Sequence, residues 1–171
     1  IVVNFYNGLL LIEDINKYVS DNMPADLIGA ICTNRHSGVD IILHYQSIGR
    51  LTPKVWQNIN VLRMHKNTDS VDRHKNKFED KYEYLKIAEK IIKHQFDINN
   101  IRYYLFVNFD EEKIHPEGAS IDNVKIAIME YVAENYNDVV GPLLNMRAKS
   151  GDRMYTPSQA VDIVEERLLR Q

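Results

Sequence analysis

A single cysteine, Cys32, rules out an intramolecular disulfide framework and suits a reducing compartment. With five prolines and seven glycines among 171 residues, and no repeat or low-complexity tract, the chain lacks the composition of a linker, a fibrous protein or a disordered segment. No apolar run approaches the roughly 18 residues that cross a bilayer, so no membrane segment is expected. Neither sign of charge dominates: 21 Lys and Arg against 24 Asp and Glu give a net charge of -3. That excludes a wholly basic nucleic-acid coat and leaves room only for a local basic face. The six histidines lack metal-ligand spacing and no cysteine pair accompanies them, which argues against a zinc site. The opening Ile1-Val2-Val3-Asn4 has no methionine, basic stretch or cleavage site. It is expected to be the interior of a longer polypeptide rather than a signal peptide. No G-x-x-x-x-G-K-[ST] phosphate loop occurs anywhere.

What is present reads as an α/β domain. Gly8-Leu9-Leu10-Leu11-Ile12 is a continuous apolar run ending in Glu13-Asp14, the pattern of a strand buried on both faces. Pro24 to Thr33 suits a short helix capped by Asn22 or a nearby polar residue, and Gly38 closes it. A second strand is expected from Val39 to Tyr45, ending at Gln46. A helix opens at Pro53 with Thr52 as cap, and a third strand covers Val61 to His65. Val71, Phe78, Tyr82, Leu85, Ile92 and Phe96 form one helical stripe, which predicts a long helix from about Ser70 to Phe96. A fourth strand is expected within Ile101 to Phe109. Helices follow at Ile121 to Tyr136 and Pro157 to Leu169, the latter opened by the capping box Thr156-Pro157-Ser158-Gln159. Strand connections long enough for crossovers predict a mainly parallel sheet in residues 1–115, with a helical appendage over 116–171.

The residues that point to chemistry sit at strand ends. In open parallel sheets ligands bind beyond the carboxyl ends of the strands. Adjacent carboxylates there, Glu13 and Asp14, suit a hydrated Mg²⁺ and an attacking water. Loops are also acidic simply because they are polar, so this pair alone is ambiguous. Gln46, at the tip of the next strand, is placed to contact a γ-phosphate or merely to cap the strand. Arg63 lies inside an otherwise apolar strand and calls for an anionic partner, a core carboxylate or a phosphate.

The order of these features resembles the FtsK/HerA superfamily of P-loop ATPases: a Walker B strand ending in Glu13-Asp14, an arginine-glycine element at Arg35 to Gly38, a strand ending in Gln46, then a helix and a strand with Arg63. The resemblance covers roughly Asn7 to Asn67, with phage packaging or assembly ATPases and conjugative coupling proteins as the nearest types. It implies the C-terminal part of a RecA-like core that hydrolyses ATP with Mg²⁺. Glu13 and Asp14 would handle metal and water, Glu13 and Gln46 would contact the nucleotide, Gln46 would act as sensor, and Arg35 or Arg63 as a finger toward a neighbour. It also implies a ring-shaped homo-oligomer moving double-stranded DNA in a bacterial or phage-infected cytoplasm or virion, beside a portal or a secretion or conjugation apparatus. The family's usual aspartate-glutamate order is reversed here, so the two carboxylate roles are interchangeable. The missing phosphate loop is expected upstream of Ile1, and without it this piece alone should not hydrolyse ATP.

Two rival readings belong to other classes: a non-catalytic virion or binding component that keeps the fold, and a Mg²⁺-dependent nuclease using Glu13, Asp14 and Asp40. Asp40 precedes its strand, at the wrong end of the sheet for the nuclease. Asp72-Arg73-His74 opens a helix, where an early acid is favoured by the dipole. Lysines 75, 77, 81, 86, 90 and 93 are interleaved with acids, the pattern of a solvated face rather than a DNA track. Tyr103, Tyr104 and Phe106 suit base stacking, although such rings on a strand are more often core.

Overall fold

The structure, a computed structural model, describes residues 6–15 and 24–170; the side chains of Asn34, Arg35, Glu79 and Arg170 lie outside that description, as does the expected cap at Asn22. The chain divides into two compact units, Ile1–Asn60 with Asn67–Asp80, and Val61–Lys66 with Lys81–Gln171.

In the first unit β1 (Gly8–Ile12) pairs in parallel with β2 (Val39–Leu43), Gly8 opposite Val39 and Ile12 opposite Leu43. The connection runs through α1 (Ala25–Ser37), which packs on β2. Gly38 ends the helix at φ 63, where a side chain would also strike Asn7, so both conformation and space require glycine. The apolar run of β1 is not buried on both faces as its continuity implied. Leu9 and Leu11 stay 59% and 54% exposed, because the described sheet has two strands and α1 shields only the alternate positions.

Thr52 caps α2 (Pro53–Asn58) by accepting from the Val55 amide at 3.5 Å. The buried Trp56 packs against Phe78 with ring centroids 4.8 Å apart. The long helix expected from Ser70 is broken into a 3-10 turn (Val71–His74), α3 (Lys75–Phe78), a second 3-10 turn (Glu79–Lys81) and α4 (Tyr82–Asp97). The apolar stripe is real but serves two cores: Val71 and Phe78 are buried in the first unit, Tyr82, Leu85 and Ile92 in the second, and Phe96 is 41% exposed.

In the second unit β3 (Val61–His65), β4 (Tyr104–Asn108) and β5 (Lys113–His115) form an antiparallel sheet in that order. The protein is therefore mixed α/β, but it is not a clear, mainly parallel P-loop core. A connection as long as the one from β3 to β4 permits a crossover without requiring one. Here the chain leaves the second unit for residues Asn67–Asp80, returns through α4, and meets β3 antiparallel. The hairpin to β5 is held by Asn108, whose side-chain oxygen accepts from the amides of Asp110 and Glu111 at 3.1 and 3.2 Å. Helices α5 (Ile121–Glu134), α6 (Tyr136–Val139), α7 (Gly141–Leu144) and α8 (Pro157–Arg170) follow. α5 packs on α4, and α8 on α5. The capping box forms: Thr156 accepts from the Gln159 amide at 3.3 Å, and Gln159 accepts from the Thr156 amide at 3.0 Å.

Two of the three lysines of α4 are used internally, and Lys93 is exposed. Lys90 donates to Glu134 at 2.7 Å, and Lys86 to Glu89 at 2.8 Å, with both lysines nearly buried. Among the described residues no helix is long and apolar enough to cross a membrane.

Candidate functional site at the strand tips of the first unit

The parallel pairing of β1 and β2 brings their carboxyl ends together. Backbone bonds continue past the strands, from the His44 amide to Ile12 at 2.9 Å and from the Ile15 amide to His44 at 3.2 Å. Between those anchors Asp14 turns at φ 49, a left-handed conformation that aspartate tolerates better than most residues. Its Oδ1 accepts from Gln46 Nε2 at 3.2 Å, and His44 Nδ1 lies 3.8 Å from the same oxygen. His44 and Gln46 follow the end of β2, and both side chains come to the same Asp14 oxygen. Glu13 is exposed beside them.

A second cluster pins the loop that carries Gln46. Asn67 donates to the Gln46 carbonyl at 3.1 Å. Asp69 Oδ2 accepts from Ser47 Oγ at 2.6 Å, from the Gly49 amide at 3.1 Å, and meets His74 Nε2 at 2.9 Å. The Ser47 hydroxyl, then His74 and the Gly49 amide, hold the Asp69 carboxyl below its ordinary range. Gly49 is glycine for lack of space: a Cβ there would collide with the Asp69 carboxylate and the His74 ring. Lys77 donates to the Gly49 carbonyl at 2.7 Å, and burial lowers its pKa against the opposing pull of Asp69. Ser47, Asp69 and His74 are the residue types of a nucleophilic triad in the wrong order. The carboxylate stands between hydroxyl and imidazole, so the imidazole is not positioned on the hydroxyl to act as its base. The cluster is structural.

The residues singled out from sequence divide accordingly. Asp14 and Gln46 come into contact, with Glu13 adjacent. The Arg35 backbone lies in the last turns of α1, and its side chain is outside the described residues. Arg63 belongs to the second unit, where its guanidinium lies 4.0 Å from the Tyr104 ring centroid; the partner expected to be an anion is an aromatic face. Asp40 pairs with Leu9, at the opposite end of the strands from Asp14, so the nuclease trio does not converge. His44, Asn67 and the Asp69 cluster were not foreseen. Only His44 had a sequence signal, its period-two relation to Gln46.

Among the described residues no three His, Cys, Asp or Glu side chains converge on a common metal position. Mg²⁺ at a nucleotide needs fewer, since it keeps several waters and takes one or two carboxylates plus phosphate oxygens. Glu13 and Asp14 supply hard oxygen donors of that kind at one strand end. A groove between α1 and β2, lined by Gly29, Ala30, Thr33, Val39 and Ile41, includes neither of these carboxylates nor Gln46. Comparisons of the chain with protein-family models, with curated proteins and with solved structures find no match.

Proposed function

We propose that this chain is part of an ATP-driven DNA translocase, with the strand tips of the first unit as the nucleotide-responsive half of its site. The observation that carries the reading is the 3.2 Å contact between Asp14 and Gln46 across the carboxyl ends of adjacent parallel strands. Mg²⁺-ATP would be the substrate, and its ion would supply the charge neutralisation that phosphoryl transfer needs. Asp14 and Glu13 bind the ion's water shell and orient the attacking water. Gln46, held on the Asp14 carboxylate, exchanges that bond for one to the γ-phosphate and so reports nucleotide state to the loop fixed by Asn67 and Asp69. Arg35, just before β2, is the finger for a neighbouring subunit of a ring. This reading requires a phosphate loop, which these residues do not contain.

The test is DNA-stimulated ATP turnover by the polypeptide that includes the phosphate loop, wild type against Gln46→Ala. Retained nucleotide binding with loss of the stimulation supports a sensor. An unchanged stimulation ratio leaves Gln46 a structural cap. Absence of any turnover in the wild type, with DNA binding intact, points instead to a non-catalytic binding component.

A further inference from the structure

The sheet of the second unit has one buried and one open face. Met64, Leu105 and Val107 point inward, with the last two fully buried. The alternate positions present Arg63 and His65 from β3, Tyr104 and Phe106 from β4, and Lys113 and His115 from β5. The register sets Phe106 between Arg63 and His115, and His65 opposite Tyr104. Tyr104 and Phe106 stand edge to face with centroids 5.6 Å apart, and His65 lies 5.6 Å from Tyr104 on the other side. The Arg63 guanidinium covers Tyr104 at 4.0 Å.

Two properties of this face decide what fits it. The first is charge. None of the three strands contains an aspartate or glutamate, in a chain that holds 24 of them. The open positions carry an arginine, a lysine and two histidines instead. The nearest acids in sequence are Asp110, Glu111 and Glu112 in the β4–β5 turn and Glu117 two residues past β5, and Glu111 is 3.7 Å from His115. The second property is shape. Half-buried flat rings and a guanidinium plane on this face present π surfaces to other flat π systems, and aromatic sheet faces serve unpaired bases in this way. A duplex keeps its bases stacked on one another and offers only its phosphates.

We propose that this face binds an unpaired DNA strand. Tyr104 and Phe106 stack bases, the Arg63 guanidinium extends the stack, and Arg63 and His65 attract the phosphates. Recognition rests on stacking and charge, so a 2′-hydroxyl is not required and sequence preference is weak. The inference is independent of nucleotide hydrolysis at Asp14.

The experiment is fluorescence anisotropy of a labelled dT20 oligonucleotide with the 171-residue chain at fixed salt. The same strand annealed to its complement and an rU20 strand serve as separate arms. The expected result is binding of dT20, weaker binding of the duplex, and rU20 affinity within a few-fold of dT20. Tyr104→Ala and Phe106→Ala should each weaken dT20 binding by on the order of 10-fold. Tyr104→Phe, which keeps the ring, should bind within about twofold of wild type. If either alanine variant unfolds by circular dichroism, Phe106→Leu, which keeps apolar bulk and removes the π face, should show the same loss while folded. The proposal is overturned if dT20 does not bind, if duplex binds as tightly, if only rU20 binds, or if the folded ring variants bind like wild type.

Discussion

Gly49→Ala probes the cluster that holds the Gln46 loop. Gly49 does not use glycine's left-handed freedom, so alanine at an open site of this conformation would stabilise the fold by about 0.4–1 kcal/mol through the unfolded chain. Here the added methyl meets the Asp69 carboxylate and the His74 ring instead. Both are side-chain ends and can swing away, but only by giving up the contacts Asp69 makes to Ser47 at 2.6 Å and His74 at 2.9 Å. Losing one hydrogen bond to a charged group costs about 1.5–3 kcal/mol. Set against the alanine gain, the net destabilisation is about 1–2 kcal/mol. Urea denaturation at pH 7 with the m-value monitored reads this directly. The structure also predicts the coupling: in an Asp69→Ala, His74→Ala background the collision is gone, so Gly49→Ala should be neutral or stabilising. A neutral Gly49→Ala in the wild-type background, or the same cost in both backgrounds, would refute the packing argument.

Acid should erase part of this stability. The folded Asp69 carboxyl titrates below its ordinary value of 3.8, so its contribution is full above that value and fades as pH falls through the lower folded one. The melting-temperature gap between wild type and Asp69→Asn should therefore shrink on acidification, and a gap constant with pH contradicts the assignment. In the second unit, burial first and then Glu117 push the Tyr103 phenol up to about 12, and its buried hydroxyl finds no partner among the described residues. Tyr103→Phe should leave stability unchanged or raise it by up to about 1–3 kcal/mol, and a clear loss in thermal melts would reveal a bond to that hydroxyl.

How much of this was legible in the sequence depends on how local the cause is. The helix at Pro53, the capping box at Thr156 and the strand Val61–His65 are set by neighbouring residues, and they fall where composition and spacing put them. The sense of the second sheet is set by where the chain travels between β3 and β4, which strand composition does not encode. The stripe from Val71 to Phe96 shows a similar limit, since its period is continuous although the helix and the cores are not. At the site, Asp14 and Gln46 were legible because residues that end parallel strands share one edge. Asp69 was not: its partners Ser47 and Gly49 lie 22 and 20 residues away, and each residue alone is an ordinary turn former. The rings at 103, 104 and 106 were legible as base-stacking candidates or core, but not which of them share an open face. Tyr104-Leu105-Phe106-Val107 is apolar at every position, so alternation appears only once the register places Arg63 against Phe106.

If the β1 tip supports ATP turnover as proposed, Asp14→Asn should abolish it. The amide keeps the shape of the side chain and removes the charge that polarises water, so nucleotide binding should persist while turnover is lost. The measurement is steady-state phosphate release alongside equilibrium nucleotide binding, on the polypeptide that carries the phosphate loop, for wild type, Asp14→Asn and Glu13→Gln. Asp14→Asn should retain bound nucleotide while its turnover falls by at least about 100-fold. Wild-type rates in both variants would contradict the proposal.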